Sequence, residues 1–238
     1  MFPFEHNLKT NQIEKIGDDT YLITKWDWEY ADALKFQLVA RDFVQNNPKK
    51  KFFIFCNHPN VFTNGRGLQK GKNISDKNLI DFEQKIPLPF PLHQITRGGG
   101  LTFHHPGQLV FYPIVKLNAE SLTLRILINE TLAMGKRAIE KCFKLSDISI
   151  ENELLGIWSK NQKLGSLGIA VERFVTFHGL AINLQIPKEM KMAMSRLHPC
   201  GLSHETYTDI SSIINKPSAL LDEFYLEFTN ELKNSVLI

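Results

Sequence analysis

Three clusters of residues carry side chains able to do chemistry. The first is Arg97-Gly98-Gly99-Gly100-Leu101-Thr102-Phe103-His104-His105-Pro106-Gly107-Gln108. Consecutive glycines let backbone amides approach a ligand closely and adopt positive φ, while Arg97 brings a fixed charge and His104 a titratable ring. The same composition also describes a plain glycine-rich hairpin turn with surface histidines. No Gly-Lys-Ser/Thr follows at the spacing of a phosphate-binding loop, and the strand-like, proline-bearing continuation excludes a dinucleotide fingerprint.

The second cluster is Lys163-Leu164-Gly165-Ser166-Leu167-Gly168, continuing to His178-Gly179-Leu180-Ala181-Ile182-Asn183. A lysine at the mouth of an apolar strand can lose its proton by desolvation or pair, as an ammonium, with a thiolate. Read alone, Lys163 also fits a solvated turn and His178 a structural histidine. The third cluster is His198-Pro199-Cys200-Gly201. A cysteine between proline and glycine sits on a rigid turn, where its sulfur is accessible and neighbouring amides can stabilise an oxyanion. Cys56 lies in an apolar strand-like run and Cys142 follows the periodic face of a helix, so only Cys200 has a nucleophile's setting. Three widely spaced cysteines without a CxxC argue against a disulfide framework and against a cysteine-rich zinc site, and no metal is expected.

The elements that must position these residues read as follows. Trp28 to Val44 carries Ala31, Leu34, Leu38 and Phe43 at helical spacing and ends before Asn46-Asn47-Pro48. Lys49-Lys50-Lys51 leads into the buried strand Phe52 to Cys56, and a polar stretch from Gln69 to Lys85 precedes Gln94 to Leu117, where a glycine-rich turn separates short strands. Ser121 is placed to cap a helix bearing Leu124, Leu127, Ile128, Leu132, Ala138 and Ile139. Segments 147–151, 154–159, 163–171 and 174–184 read as strands, with Lys160-Asn161 as a hairpin turn, and a last helix runs from Leu221 to Leu232. Helices bracketing runs of strands predict an α+β domain, with a mixed, mostly antiparallel sheet covered by helices on one side.

Composition sets the outer bounds. With 238 residues, 43% hydrophobic and 22% charged, the chain is neither disordered nor fibrous, and without repeats or linkers it reads as a single domain over 1–238. A net charge of +3 is too small a surplus for nucleic-acid binding through phosphates. It leaves room for steering an acidic protein partner through Lys49, Lys50, Lys51 or Arg196. The N-terminus has no basic segment followed by an apolar core, and Leu109 to Val115, the densest apolar run, contains Pro113 and is far too short for a bilayer. The expectation is a cytoplasmic protein with no membrane association.

Taken in order, His58-Pro59, Thr63-Asn64-Gly65-Arg66, Arg97 to His104, Pro106-Gly107-Gln108, Tyr112-Pro113, Gly156-Ile157-Trp158, Lys163 to Gly168, His178 to Asn183 and Pro199-Cys200-Gly201 resemble the lipoyl(octanoyl) transferase family. The resemblance implies the fold of the lipoate-protein ligase and biotin-protein ligase catalytic domains. It implies octanoyl transfer from octanoyl-acyl carrier protein to a lysine of lipoyl domains, those of 2-oxoacid dehydrogenase complexes and of the glycine cleavage H protein, without a cofactor. By position, Cys200 becomes the acyl-thioester nucleophile and Lys163 the residue that lowers its pKa and shuttles the proton. Arg97, Gly98, Gly99, Gly100, Leu101, Thr102, Phe103 and His104, with Ser166, Leu167, Gly168, Gly179, Leu180 and Ala181, line the acyl site, and His178 supports it. Leu101, Phe103, Leu167, Ile169 and Leu180 are candidates for its apolar floor, and amides near Gly201 or Gly98 to Gly100 for oxyanion donors.

Two positions depart from the family pattern. His105 replaces a usual glycine, with a narrowed pocket mouth as the expected effect, and Leu155 stands where a proline often precedes Gly-x-Trp. The rivals are an ATP-dependent lipoate-protein ligase, which needs no cysteine, a non-catalytic acyl- or carrier-binding module, which needs neither Cys200 nor Lys163, and a cysteine hydrolase with a histidine base.

Overall fold

The computed structural model describes residues 8–67, 88–195, 203–215 and 220–238. The Gln69 to Lys85 stretch, Arg196 and the His198 to Gly201 turn with Cys200 lie outside the described residues. In chain order the strands are β1 (Ile13–Lys15), β2 (Thr20–Lys25), β3 (Lys51–Cys56), β4 (Val61–Gly67), β5 (Leu92–Gln94), β6 (Gly99–His104), β7 (Gln108–Ile114), β8 (Ile148–Glu151), β9 (Gly156–Ser159), β10 (Gln162–Glu172) and β11 (Val175–Asn183). The helices are α1 (Tyr30–Asn46), α2 (Leu124–Phe143), α3 (Lys188–Met194), α4 (Ile210–Ile214) and α5 (Leu220–Lys233).

Eight strands form one sheet in the order β1-β2-β3-β7-β11-β10-β9-β8, with β2 and β3 parallel and every other neighbouring pair antiparallel. A second sheet, β5-β4-β6, stands beside it. The α+β class and the mostly antiparallel sheet follow the sequence reading, but the helices cover both faces. Leu22, Phe53, Phe55, Phe111 and Leu180 pack with α2 and α5 on one side, while Ile23, Phe52, Ile54, Val110 and Tyr112 pack with α1 on the other. The reason lies in β3, which is apolar at Phe52, Phe53, Ile54, Phe55 and Cys56 without a break and buried throughout that run. A strand with no polar face must be covered twice.

The four strands from β8 to β11 form hairpins. Lys160 takes φ 53° in the predicted turn, and Arg173 and Phe174 take φ 50° and 66° between β10 and β11, the two positive values a tight hairpin needs. At the start of α2 the cap is Thr123, whose side chain accepts from the Ile126 N–H, whereas Ser121 donates to Asn118 two residues outside the helix. The three glycines do not form the turn: Gly98 precedes β6, Gly99 and Gly100 open it, and the turn to β7 is His105-Pro106-Gly107. On α5, Glu231 joins that helix to α2 through Arg137 at 2.6 Å and Lys141. Among the described residues no helix is long and apolar enough to cross a membrane.

Candidate active site

A cavity of ≈ 300 Å³ opens where β10 and β11 meet the start of β6 and the first turn of α2. Lys163 enters it from the start of β10. It is only 3% exposed, its Nζ donates to the Leu154 carbonyl at 2.7 Å and stands 5.5 Å from the centre of the Trp158 ring. Two neighbours make this possible. A Cβ on Gly156 would sit 2.6 Å from the Lys163 Cε, so glycine there leaves room for the lysine stem, and Trp158, paired with Lys163 in the sheet, supplies the surface under its ammonium. The Gly156-Ile157-Trp158 motif is therefore the seat of Lys163. On the opposite side, Tyr207 bridges to Lys163 and the Thr208 N–H donates to the Lys163 carbonyl at 3.1 Å.

The wall facing β10 comes from the glycine cluster. Arg97, 6% exposed, donates to the Gly98 carbonyl (2.9 Å), the Thr63 carbonyl (2.9 Å) and the Thr63 hydroxyl (2.8 Å). Its stem crosses Gly168, where a Cβ would lie 3.0 Å from the Arg97 Cδ. The Gly98 N–H is engaged by the Ile169 carbonyl at 3.4 Å, which uses one of the amides considered for an oxyanion.

Behind this wall lies a buried imidazole network whose tautomers follow from its partners. The Trp28 carbonyl can only accept, so His58 carries its proton on Nδ1 (2.6 Å) and its Nε2 accepts from the Tyr112 hydroxyl (2.8 Å). Gln108 donates through Nε2 to Asn183 Oδ1 (2.9 Å), so its Oε1 accepts from Nδ1 of His104 (2.8 Å) and leaves the His104 Nε2 unprotonated. Tyr30 stacks on His104 at 5.6 Å. Burial holds these rings neutral: it pulls His58 and His105 down to about 4 and His104 well below the ordinary imidazole value. His178 is drawn down to about 3 by burial and then by the Arg97 charge.

Of the residues singled out in the sequence, Lys163, Arg97, Gly98, Gly99, Gly100, Thr102 and His104 border the cavity, as do Ser166, Leu167, Gly168, Ile169, His178, Gly179, Leu180 and Ala181. Leu101 and Phe103 do not. They alternate with Gly100, Thr102 and His104 on β6 and turn into a separate small core with Phe62, Met190 and Tyr207. His105 is fully buried, stacked on Phe103 at 5.9 Å and bonded to Asn183, so it lies off the cavity and narrows no mouth. Leu155 takes φ 25°, a value closed to proline, which fits the departure at that position.

Lining residues missed in the sequence are Leu124 and Ile128, four apart on α2, Glu153, Leu154 and Leu155 from the β8–β9 connection, and Tyr30, Val110 and Tyr112. Leu124 and Ile128, read in the sequence only as part of the apolar face of that helix, carried the available signal. Of the lysines considered for steering, Lys50 is paired with Asp19 at 2.7 Å and Lys51 bonds the Leu237 and Ile238 carbonyls, so neither is a loose surface charge. Among the described residues no group of three or more His, Cys, Asp or Glu is placed to hold a metal ion.

Residues 29–233 match the model of the lipoyl protein ligase A/B catalytic domain. The chain belongs to this family. Within the family, an octanoyltransferase of Geobacter metallireducens is 32% identical over 206 residues, covering 83% of this chain and 84% of the relative. One from Synechococcus elongatus is 32% identical over 176 residues, covering 74% and 70%. A chloroplastic octanoyltransferase of Arabidopsis thaliana is 29% identical over 189 residues, 79% of this chain, which spans 62% of that longer relative. Among solved structures, a lipoate-protein ligase A bound with ATP superposes with TM-score 0.61 at 12% identity, over 90% of this chain and 83% of the ligase. The biotin protein ligase of Leishmania major gives 0.50 at 13% identity, over 92% and 74%. These likenesses confirm the ligase-type fold. As a member of the family with octanoyltransferase relatives along most of its length, the protein is an acyltransferase.

Proposed function

We propose that the protein moves an octanoyl group from octanoyl-acyl carrier protein to the ε-amine of a lysine on lipoyl domains, through a thioester on Cys200. The whole chain, 1–238, acts as one catalytic domain in the cytoplasm. Acceptors are the lipoyl domains of 2-oxoacid dehydrogenase complexes and the glycine cleavage H protein. The observation that carries the reading is Lys163, buried at the edge of a cavity with Leu124, Leu167 and Leu180 in its walls. A desolvated ammonium beside an apolar slot is what a thiolate nucleophile and an acyl chain together require.

In this mechanism the Cys200 thiolate, paired with the Lys163 ammonium, attacks the octanoyl thioester. The carrier thiolate departs and takes the proton from Lys163, leaving the amine neutral. The acceptor lysine, entering as its neutral amine, attacks the Cys200 thioester. An amide forms, the Cys200 thiolate leaves, and Lys163 takes the surplus proton from the attacking nitrogen, which restores the starting pair. The first exchange swaps one thioester for another and is nearly balanced. The second makes an amide from a thioester and is downhill, so the cycle needs no nucleotide and no cofactor. Tyr207 and Thr208, bonded to Lys163 seven and eight residues after Cys200, support the pairing of the two residues.

The test is transfer from octanoyl-carrier protein to a purified lipoyl domain, with and without ATP. The reading predicts octanoylated domain at the same rate in both. Modification from free octanoate that requires ATP, with none from the carrier thioester, contradicts it and points to the ligase chemistry.

A further inference from the structure

We infer that Trp158 keeps Lys163 in its protonated form, the form that pairs with a thiolate, an inference that rests on the acyl-transfer reading above. Burial alone works against that form: Lys163 is 3% exposed, and removal from water disfavours an ammonium. Its Nζ faces the Leu154 carbonyl at 2.7 Å and the Trp158 ring, whose centre is 5.5 Å away. The two contacts differ in what they select. A carbonyl accepts from a neutral amine as well as from an ammonium, whereas the negative face of an aromatic ring attracts the cation. Lys25, Arg41, Lys50 and Lys116 also stand over aromatic rings, but each keeps contact with water, and among the described residues Lys163 is the cation over a ring that is buried. The attraction is strongest where water is excluded.

The indole itself supplies a second observation. Trp158 is 9% exposed, and its Nε1–H is buried without a hydrogen-bond partner among the described residues. A buried donor left unpaired destabilises a fold. Phenylalanine would present a ring here without that loss, but one that attracts a cation less than indole does. What the indole offers in exchange is its face, and Lys163 occupies it. The pairing is set locally: the β9–β10 hairpin turns at Lys160, with φ 53°, and places Lys163 directly opposite Trp158. The other groups around Lys163 do not replace the ring. The β8–β9 connection brings Glu153 and the segment after Cys200 brings Glu205, both exposed, so water screens them. That segment also brings Tyr207, and α2 brings Leu124 and Ile128, which carry no charge. Across the cavity, His104 and His178 are held neutral by burial, and Arg97 opposes a second cation.

Trp158 thus acts through Lys163, as a positioning residue. In the proposed cycle the Lys163 ammonium pairs with the Cys200 thiolate and gives its proton to the departing carrier thiolate, so acylation fails once Lys163 is neutral. A ring that favours the ammonium raises the pH at which that proton is lost, and removing the ring lowers it. The experiment follows single-turnover acylation by octanoyl-acyl carrier protein from about pH 6 to about pH 10, read by intact-protein mass spectrometry. It uses wild type, Trp158→Leu and Trp158→Phe, with thermal melts establishing that each variant folds. In the leucine variant the alkaline fall in rate should move toward neutral pH by about one unit, a tenfold loss in the affinity of Lys163 for its proton. In the phenylalanine variant it should move the same way by about half a unit. If only the phenylalanine variant folds, that half-unit shift decides the question. A rate lowered equally at every pH, with the alkaline fall unmoved, assigns Trp158 a packing role and overturns the inference, while acylation of the wild type leaves the enzyme's function standing. A wild type that is never acylated overturns the function itself, and with it this inference.

Discussion

Lys163 is buried in place by residues with no chemistry of their own. Gly156 leaves room for its stem, Trp158 lies under its ammonium and the Leu154 carbonyl accepts a hydrogen bond from its Nζ. Replacing it with alanine removes the proposed proton carrier but leaves the cavity, so acyl transfer should fall by about 10²–10⁴, the usual contribution of a positioned acid–base group. Single-turnover transfer to a lipoyl domain measures this, and a fall of less than tenfold contradicts the role. At this scale the sequence showed which residues gather but not which way they face. Gly100, Thr102 and His104 reach the cavity while Leu101 and Phe103, one step along the same strand, turn away, because alternation acts on a strand phase that a glycine-rich segment does not reveal. His105 was hidden for a related reason: a polar ring beside another histidine gives no sign that it ends in a Phe103 stack behind the site.

Among the elements, the strands from 148 to 183 and their hairpin at Lys160 were legible, since short alternating runs broken by turn residues have few other solutions. The two-sided helix cover was legible too, in the unbroken apolar run of β3, whereas the order of helices around the strands by itself points to a one-sided layer. The α2 cap shows how local chemistry decides a boundary. Ser121 and Thr123 both have the right side chain, and Ser121 is drawn into the Asn118 turn, which leaves Thr123 to satisfy the Ile126 N–H. Thr123→Ala should cost about 1 kcal/mol, or roughly 2–4 °C in melting temperature for a domain of this size. Ser121→Ala should cost less than half of that. Equal losses in the two variants, followed by circular dichroism, contradict the assignment. Because Leu124 opens the same helix and borders the cavity, a frayed α2 should also weaken acyl binding.

At the scale of the whole molecule, four histidines among the described residues, His58, His104, His105 and His178, are buried and neutral, at the site or behind it. Each has a folded pKa below the unfolded value of about 6.5, down to about 4 for His58 and His105 and about 3 for His178. The sign follows: below the unfolded value the unfolded chain binds more protons than the native one, so stability is full above it and is lost as pH falls toward the folded values. Each ring contributes a slope of up to about 1.4 kcal/mol per pH unit in that window. Denaturant unfolding should therefore show stability falling steeply from pH 6.5 to pH 4, and His105→Gly should flatten the slope. A wild-type profile flat across that range contradicts the neutral network. In the proposed cycle Lys163 meets the Cys200 thiolate at the edge of this site. That meeting is the central claim, and intact-protein mass spectrometry after incubation with octanoyl-acyl carrier protein tests it most directly. The account predicts a gain of one octanoyl group on the wild type, labile to hydroxylamine, discharged by a lipoyl domain and absent from Cys200→Ser. No adduct on wild type that is nevertheless transferring octanoyl groups, or the same hydroxylamine-labile adduct on Cys200→Ser, would contradict it.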